Sequence, residues 1–511
     1  MTRLSRRALL GGAVGAAVAG TVGVPLVSGL AGSSSTGTLL TSRVPLPRPF
    51  TAPLPVPPVL APVRADADTD FYEIVQRPAT VEILPGVPTT IWGYNGIFPG
   101  PTLVSRSGRT TIVRHRNELP VPVVVHLHGG HTPPQHDGYP TDLILPTGTL
   151  TGHPDPSGVV ARGQRDYEYP LLQRAATLWY HDHRMDFTGP AVWRGLAGFH
   201  LVHDSEEDTL PLPRGELDLP LMIADRSFDA DGSLRYPSLD PTLLHRPGVQ
   251  EPYHAGVLGD VILVNGAPWP IADVPAVRHR LRLLNASNAR RYRLSLDPPP
   301  PGGGALVQIG ADGGLLDRPV VHDTIEIAPA QRYDVIVDFG RYRTGQEVTL
   351  VNGFGSGTAA RVMRFRIGAR VPDDTAIPER LSETVPLRRL DAVVTRTMVF
   401  QSTGAGWTIN GQPFDPQHAD VRPQLGSVEI WRLISDFHHP VHLHLSAFQV
   451  LSRGTGGPGP YDHGWKDTVD LRPAEEVSVI VRFERYAGRY VFHCHNLEHE
   501  DMMMMGNFQT R

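Results

Sequence analysis

Short apolar runs alternate with polar residues along most of the chain. Residues 109–119 (RTTIVRHRNEL) and 475–495 (EEVSVIVRFERYAGRYVFHCH) are examples of this alternation. Because successive side chains of a strand point to opposite faces, the alternation favours half-buried strands over helices. The 52 glycines and 50 prolines suit turns between short strands. The pattern therefore predicts an all-β protein built from antiparallel β-sandwiches.

An internal repeat divides the chain. Asn95, Asn265 and Asn410 each begin an Asn-Gly pair that stands between apolar runs, and they are 170 and 145 residues apart. Asn-Gly pairs in this setting are typical of hairpins, and their return at domain-sized intervals indicates repeated domains. A chain of 511 residues also has the length of about three domains.

Domain boundaries are predicted from these repeats and from changes in composition. The prolines that follow the N-terminal region indicate a stiff tether, which we expect to lie outside any core. The predicted segments are an export signal with the segment after it (1–43), a Pro-rich tether (44–67), a first domain (68–205), a second domain (206–372), a linker (373–392) and a third domain (393–511).

The N-terminus is typical of an exported protein. Arg6 and Arg7 precede a weakly apolar run rich in glycine and alanine, which resembles a twin-arginine export signal. A membrane anchor is the alternative, because the run is nearly long enough to span a bilayer. We expect an extracellular or cell-envelope protein with no stable membrane span after signal removal.

The charge and the cysteine count narrow the possible functions. The formal net charge is −5 and the 47 Lys and Arg residues are spread along the chain, so no basic patch points to nucleic acid. Exported proteins usually contain disulfides, but the single cysteine, Cys494, forms none within the chain. It is therefore either a buried, inert thiol or a ligand.

Histidines recur in pairs separated by one residue. In a strand, such a pair aims both imidazoles at the same side, as a metal site requires. The spacing from the Asn-Gly pair repeats as well: Asn95 precedes the first pair by 31 residues and Asn410 precedes the third by 32. The second domain has Arg293 and Ser295 where the third has its first pair, so we interpret it as a scaffold. The four pairs are His126 and His128, His181 and His183, His442 and His444, and His493 and His495.

Cys494 separates the last two paired histidines, so its side chain points to the opposite face of the strand. His439 and His499 are placed to join it there. Two histidines and one cysteine with a long axial methionine form the blue-copper arrangement. Zinc also accepts histidine and cysteine, but usually as four short tetrahedral ligands, and clustered extra imidazoles are not typical of zinc sites.

The four motifs HLHGG, WYHDH, HPVHLH and HCHNLEHEDMM resemble those of three-domain multicopper oxidases, in the group of bacterial spore-coat laccases, bilirubin oxidases and phenoxazinone synthases. The resemblance covers residues 68–511 and implies three cupredoxin-like Greek-key β-sandwiches with four copper ions. The ligands that it implies are His439, Cys494, His499 and Met504 for type 1 copper, His126 and His442 for type 2, and His128, His181, His183, His444, His493 and His495 for the type 3 pair.

The resemblance also implies the reaction. A laccase-type oxidase removes single electrons from phenols, aminophenols or related aromatics and reduces O2 to water with four of them. The type 1 histidine after the cysteine, His499, would receive the electron, Cys494 would pass it on, and Asp137 and Glu500 would relay protons. We expect a monomer whose partners are a small aromatic reductant and O2.

Other functions remain open within the same fold. A bilirubin-type oxidase is one, and a metallo-oxidase for Cu(I), Fe(II) or Mn(II) is another. Met502, Met503 and Met505 are interpreted as packing residues, with a Cu(I)-collecting patch as the alternative. A non-enzymatic exported scaffold of this fold is disfavoured because every ligand position is filled.

Overall fold

The computed structural model describes residues 36–148 and 158–511. The twin-arginine pair and the apolar run interpreted as an export signal lie outside the described residues. Among the residues that are described, no helix is both long and apolar enough to cross a membrane. Those residues form 34 strands and three short α-helices, with 3-10 turns between them.

Strands dominate every part of the described chain. Up to residue 205 they are β1 (Thr38–Leu40), β2 (Arg64–Ala65), β3 (Thr69–Leu84), β4 (Val87–Tyr94), β5 (Gly100–Arg106), β6 (Thr110–Asn117), β7 (Val125–His128), β8 (Ile144–Leu145), β9 (Ala161–Arg162), β10 (Gln164–Tyr169), β11 (Ala176–Asp182) and β12 (Ala197–His203). The middle part contains β13 (Asp218–Arg226), β14 (Val257–Gly259), β15 (Val261–Val264), β16 (Ala267–Pro268), β17 (Ile271–Val274), β18 (Arg278–Asn285), β19 (Tyr292–Asp297), β20 (Leu306–Ala311), β21 (Gly314–His322), β22 (Ile325–Ile327), β23 (Arg332–Asp338), β24 (Glu347–Asn352) and β25 (Arg361–Ile367).

The last part adds nine strands and ends close to the C-terminus. These are β26 (Ala392–Thr403), β27 (Gly406–Ile409), β28 (Val428–Ser435), β29 (His439–Leu443), β30 (Phe448–Arg453), β31 (Thr468–Leu471), β32 (Glu476–Arg482), β33 (Gly488–Cys494) and β34 (Met505–Thr510). The α-helices are α1 (Thr188–Arg194), α2 (Ser205–Asp208) and α3 (Leu497–Asp501). The 3-10 turns are Pro134–His136, Gly215–Leu217, Phe339–Arg341, Gly357–Ala360 and Arg389–Asp391.

Each part of the chain builds two sheets around one apolar core. The first pair has the orders β10-β6-β3-β2, with β4 beside β3, and β5-β12-β11-β7. The second has β16-β15-β13-β18-β23-β20-β21 and β17-β25-β24-β19-β22, and the third has β27-β26-β28-β32-β30 and β31-β29-β33-β34. Each core draws side chains from both of its sheets, which is the packing of a β-sandwich. The predicted all-β class with three sandwiches is confirmed, whereas the numbered boundaries stay a prediction.

The repeated Asn-Gly pairs occupy equivalent turns. Asn95, Asn265 and Asn410 have left-handed backbones, with φ of 57°, 50° and 53°, and the glycine after each also has positive φ. Such a pair of residues suits a tight hairpin turn. Each asparagine side chain also accepts a hydrogen bond from a backbone N–H of the preceding long strand. The donor and acceptor residues are Val75 and Asn95 at 2.9 Å, Met222 and Asn265 at 2.8 Å, and Val399 and Asn410 at 2.8 Å.

The predicted antiparallel pairing is wrong for at least one pair of strands in each sandwich. β3 with β6, β13 with β18, and β26 with β28 run parallel, and β5 with β12 and β17 with β25 are also parallel. Gln76, Ile223 and Phe400 each follow the residue whose N–H donates to the asparagine of the turn. They pair with Asn117, Asn285 and Ser435 respectively, so these three parallel pairs have the same register. Alternation of apolar and polar residues specifies a half-buried strand, but it does not specify the direction of the neighbouring strand.

The Pro-rich segment is not a free tether. Phe50, Leu54 and Leu60 donate backbone hydrogen bonds to Trp269, Ile271 and Thr102 respectively. Val44, Leu46, Phe50 and Leu54 also pack against the core of the second sandwich. The expectation that this segment lies outside any core is wrong, because its apolar residues between the prolines bury part of their surface there. Just before it, β1 pairs in parallel with β14.

Candidate metal centres

The eight paired histidines lie in or directly after four strands, β7, β11, β29 and β33. β7 and β11 pair so that His126 faces His181, and β29 and β33 pair so that His442 faces His493. One histidine of each pair therefore lies opposite another histidine, and His128 lies opposite Trp179. The relative exposure of all eight residues is 1% or less.

The eight imidazoles meet across the boundary between the first and third sandwiches. Rings from different sandwiches stack, with centroids 3.8 Å apart for His126 and His444 and 3.6 Å apart for His128 and His442. Three groups have ligand atoms within 4.8 Å of one another: His126, His442 and His444; His128, His181 and His495; and His183, His444 and His493. The second and third groups divide the predicted type 3 ligands into two sets, and the first contains both predicted type 2 ligands. The type assignments themselves stay a prediction.

The residues present fit metal ions because four of the eight rings have one anchored and one free nitrogen. Nδ1 of His126 lies 2.5 Å from the Asp137 carbonyl oxygen, and Nδ1 of His181 lies 2.7 Å from that of Asp182. Within the described parts of the chain, the other nitrogen of each ring, Nε2, has no hydrogen-bond partner although it is buried. A buried polar atom without a partner is costly, and a metal ion would satisfy it.

Burial also keeps these histidines neutral, which leaves a lone pair for a metal. It lowers the pKa of His126, His128, His181, His444 and His495 well below the ordinary histidine value. In addition, Nε2 of His493 lies 3.2 Å from Nε2 of both His183 and His444. Facing lone pairs of neutral rings repel one another, so this arrangement suits a cation placed between them.

Cys494 forms a separate group on the other face of β33. Its Sγ lies 3.4 Å from Nδ1 of His439 and 3.6 Å from Nδ1 of His499, and those two nitrogens are 3.1 Å apart. All three side chains are fully buried. Burial raises the pKa of the Cys494 thiol well above its ordinary value, whereas a bound cation would deprotonate it. Met504, also fully buried, packs in the same core, and its carbonyl accepts a hydrogen bond from the Cys494 N–H.

Hydrogen bonds orient the two histidines of this group. Nε2 of His439 lies 2.9 Å from a carboxylate oxygen of Asp436, and Nε2 of His499 lies 3.2 Å from the backbone carbonyl oxygen of Ala255. A proton on Nε2 leaves Nδ1 with a free lone pair directed toward Cys494. The donor set of two imidazoles, a thiol and a nearby methionine fits a blue-copper site.

Both predicted proton-relay carboxylates lie against the eight-histidine centre. Asp137 Oδ2 is 2.7 Å from Nδ1 of His444, and burial raises the pKa of Asp137 well above its ordinary value. Glu500 places Oε2 3.1 Å from Nδ1 of His493 and Oε1 3.5 Å from Nδ1 of His183. Neither oxygen of Glu500 has a well-aligned hydrogen-bond partner in the described part of the protein, so both are available to water.

A cavity of about 470 Å³ connects the eight-histidine centre with the protein surface. His126, His442 and His444 lie at its inner end, and Arg174 and Arg485 also line it. The methionines on either side of Met504 have a different setting: Met503 and Met505 pack with Tyr139, Phe414 and Val491.

The sequence did not reveal three residues that shape these centres. Asp467 accepts a hydrogen bond from His128 Nε2 at 3.0 Å, Ala255 accepts one from His499, and the Trp407 ring stacks on the His499 ring with centroids 3.6 Å apart. Trp407 stands three residues before Asn410, as Trp92 stands before Asn95, but this parallel says nothing about a metal ligand. The predicted scaffold positions Arg293 and Ser295 lie on β19, where Arg293 pairs with Glu326.

Comparisons with known sequences agree over most of the chain. Profiles of the multicopper oxidase family match residues 76–207, 244–362 and 388–511. A laccase of Bacillus subtilis (strain 168) is 37% identical, over 89% of this chain and 97% of its own length. A bilirubin oxidase of Albifimbria verrucaria is 35% identical, over 90% of this chain and 81% of its own.

The fold is also similar to solved structures. The crystal structure of a laccase from Pediococcus acidilactici superposes with a TM-score of 0.80 at 32% identity, covering 93% of this chain and 95% of that one. The similarity therefore includes all three sandwiches, and the sandwich that has no histidine pairs is part of it.

Proposed function

Because this chain belongs to the multicopper oxidase family, we propose that its cysteine-centred group and its eight-histidine centre act as the two ends of one electron path. The protein is an oxidoreductase of laccase type that uses O2 as electron acceptor, and copper is its cofactor. Four one-electron donors are oxidised for each O2, which takes up four protons and leaves as two water molecules.

Copper, four ions per chain in this family, supplies the one-electron redox chemistry and the reduction of O2 when it is bound. The proposed residues for the first ion are His439, Cys494, His499 and Met504. The residues that would hold the other three are His126 and His442, then His128, His181 and His495, and finally His183, His444 and His493.

The position of Cys494 is the observation that carries this proposal. Its thiol belongs to one group, while His493 and His495, its neighbours in sequence, belong to the other. Neighbouring Cα atoms are about 3.8 Å apart, so one strand gives a short covalent path between the groups. Cys494 therefore acts as the connection through which electrons cross from donor to acceptor.

Asp137 and Glu500 are the proposed proton-transfer residues. Each carboxyl is buried and lies within 4 Å of imidazoles from the eight-histidine centre. General acids work at this range, directly or through one water molecule. The cavity that reaches His126 and His442 provides space for O2 and water at the same centre.

Phenols, aminophenols and related aromatics are the proposed donors. The relatives named laccase support this class, and the bilirubin oxidase relative supports larger conjugated donors. A metallo-oxidase is the competing function. The deciding experiment is steady-state O2 uptake by the copper-loaded protein with 2,6-dimethoxyphenol, 2-aminophenol, bilirubin, Cu(I), Fe(II) and Mn(II) as separate donors. Faster turnover with a metal ion than with any aromatic would reject the proposed donor class.

We further propose export through the twin-arginine pathway to the cell envelope or beyond. Arg6 and Arg7 before an apolar, glycine-rich run support it. Replacement of both arginines by lysine should retain the protein inside the producing cells, which fractionation would detect. The proposed monomeric state would be measured by sedimentation of the secreted protein.

A further inference from the structure

The His499 ring has no exposed edge through which a donor could touch it. Its relative exposure is 0%, and its Nε2 is covered by the Ala255 carbonyl. One face of the ring is covered by Trp407, with an interplanar angle of 25°. An electron that arrives on this side of the ring therefore crosses the backbone at Ala255 or the Trp407 ring. If His499 is the point of electron entry, the electron reaches it through this covering layer.

Trp407 is the side chain in this layer that reaches toward the surface. It lies on β27, directly after the hairpin residues 404–406, which are exposed. Side chains added at Gly404 or Gly406 would meet no atom of the described chain within 4 Å, so the hairpin tip is open. The Trp407 ring itself is 7% exposed, and its inner face lies on His499.

Trp407 also joins two surface segments above the cysteine-centred group. Its indole N–H donates to the backbone carbonyl of His254 at 3.1 Å, one residue before the carbonyl that covers His499. His254 is exposed and Ala255 is partly exposed. The hairpin and the 254–256 segment thus meet at Trp407. The contact between them, the seam, lies directly above His499.

The surroundings of the seam are apolar. Phe437 contacts Trp407 edge to face with centroids 5.8 Å apart, and Phe437, Ala255 and Met502 are partly buried side chains of the same core. Asp436 lies next to Phe437, but one of its oxygens already accepts from Nε2 of His439. An aromatic ring gains dispersion and stacking energy on such a surface, whereas a hydrated metal ion gains little.

We propose that Trp407 is the contact through which a small planar aromatic donor binds and delivers its electron to His499. This inference rests on the proposed function and makes its point of entry specific. A phenol bound against Trp407 gives up one electron, its hydroxyl proton passes to solvent, and the electron reaches O2 after three further donors have reacted. Trp407 is not consumed, because it couples donor and ligand through its π-system.

The test compares Trp407→Leu and Trp407→Phe with the parent and with Trp92→Leu. Trp92 occupies the equivalent place before the first Asn-Gly pair and is also 7% exposed, but Arg194 covers it instead of a metal ligand. Each copper-loaded protein is mixed anaerobically with 2,6-dimethoxyphenol, or with Fe(II), and loss of the blue absorption is followed. Reoxidation by O2, the reduction potential of the blue copper and equilibrium dialysis with 4-nitrophenol, which resists oxidation, complete the set.

We expect Trp407→Leu to slow reduction by the phenol, and to weaken 4-nitrophenol binding, by about tenfold. Reduction by Fe(II), reoxidation by O2 and the reduction potential should stay at parental values. Trp407→Phe should recover most of the phenol rate because it keeps a flat ring, and Trp92→Leu should behave as the parent. If Trp407→Leu binds no copper, Trp407→Met is measured by the same criteria.

Three outcomes overturn the inference. Equal phenol rates in parent and Trp407→Leu exclude the contact. Equal slowing with phenol and Fe(II), or a shift in potential, means that Trp407 tunes the copper without binding the donor. Unchanged 4-nitrophenol binding places the donor elsewhere. Failure of the proposed function looks different, because the parent itself would then not be reduced by the phenol, whether or not Fe(II) reduces it.

Discussion

Hydrogen bonds orient most of the imidazoles that would bind metal. Asp436 and Ala255 hold one nitrogen of His439 and His499, and backbone carbonyls hold one nitrogen of four of the eight rings in the eight-histidine centre. The second nitrogen then points at the site without competition. Orientation by hydrogen bonding reduces the rearrangement needed when a metal binds.

Cys494→Ser is the most direct test at this scale. Serine has nearly the shape of cysteine, so the third sandwich should fold, but its hydroxyl is a poor substitute for a copper-bound thiolate. The variant should lose the blue colour and the oxidation of aromatic donors, while circular dichroism stays at parental values. A variant that remains blue would contradict the assignment of Cys494.

Glu500→Gln tests proton supply separately from electron entry. Glutamine keeps the size of the side chain but cannot deliver a proton. Anaerobic reduction of the blue copper by a phenol should be unchanged, reoxidation by O2 should slow, and turnover should fall most at higher pH, where protons are scarce. Stopped-flow absorbance across pH measures the rates of both the anaerobic reduction and the reoxidation.

The control for this experiment is Glu498→Gln. Glu498 is two residues away and equally buried, but it bonds to Tyr236, Asn288 and Val257 instead of the histidine centre. If Glu498→Gln slows reoxidation as much as Glu500→Gln does, the special role of Glu500 is rejected.

The chemistry-bearing residues could be predicted because they are paired and repeated, but their orienting partners could not. Asp467 is 339 residues from His128, and Trp407 is 92 residues from His499. Nothing local in the sequence marks a carboxylate or an indole that becomes important only through long-range packing.

At the scale of elements, three hairpins use one device. The asparagine turns the chain with a left-handed backbone and its side chain satisfies an N–H of the neighbouring long strand. The repeat of this device could be predicted from three Asn-Gly pairs. Strand direction could not, because alternation of apolar and polar residues does not specify whether the neighbouring strand runs parallel or antiparallel.

Asn265→Ala should destabilise the second sandwich. The buried Met222 N–H would lose its partner, which costs about 1–3 kcal/mol, and alanine in a left-handed conformation costs about 1–2 kcal/mol more. Asn265→Gly is the matched control, since glycine removes the side chain without the backbone strain. Urea unfolding should rank parent, Asn265→Gly and Asn265→Ala in falling order, and equal values for the two variants would exclude a strain contribution.

At the scale of the whole molecule, the second sandwich does more than separate the other two. Arg332 begins β23 and is fully buried, and its guanidinium makes two hydrogen bonds to Asp467, at 2.8 and 2.5 Å. Asp467 in turn accepts from His128 of the first sandwich. One ion pair therefore links all three sandwiches at the histidine centre.

Arg332→Met should show how much this ion pair contributes to the stability of the protein. Removing one partner leaves the Asp467 charge buried, which costs about 3–5 kcal/mol of unfolding free energy. Arg366→Met is the control, because its partner Asp273 is 75% exposed and a surface pair contributes at most about 1 kcal/mol. Equal midpoints of urea unfolding for the two variants would show that the buried pair adds no stability.

The two centres differ in how many sandwiches supply them. His439, Cys494, His499 and Met504 all belong to the third sandwich, whereas every histidine group of the other centre needs the first and the third together. Separation of the first and third sandwiches would therefore disrupt the centre that reacts with O2 and leave the cysteine-centred group intact. In mild denaturant, the sandwiches could separate before they unfold. The cysteine-centred site should then still be reduced by a donor and lose its blue colour, but it could not pass the electron on to O2. With rising denaturant, O2 uptake should therefore be lost before the blue absorption is.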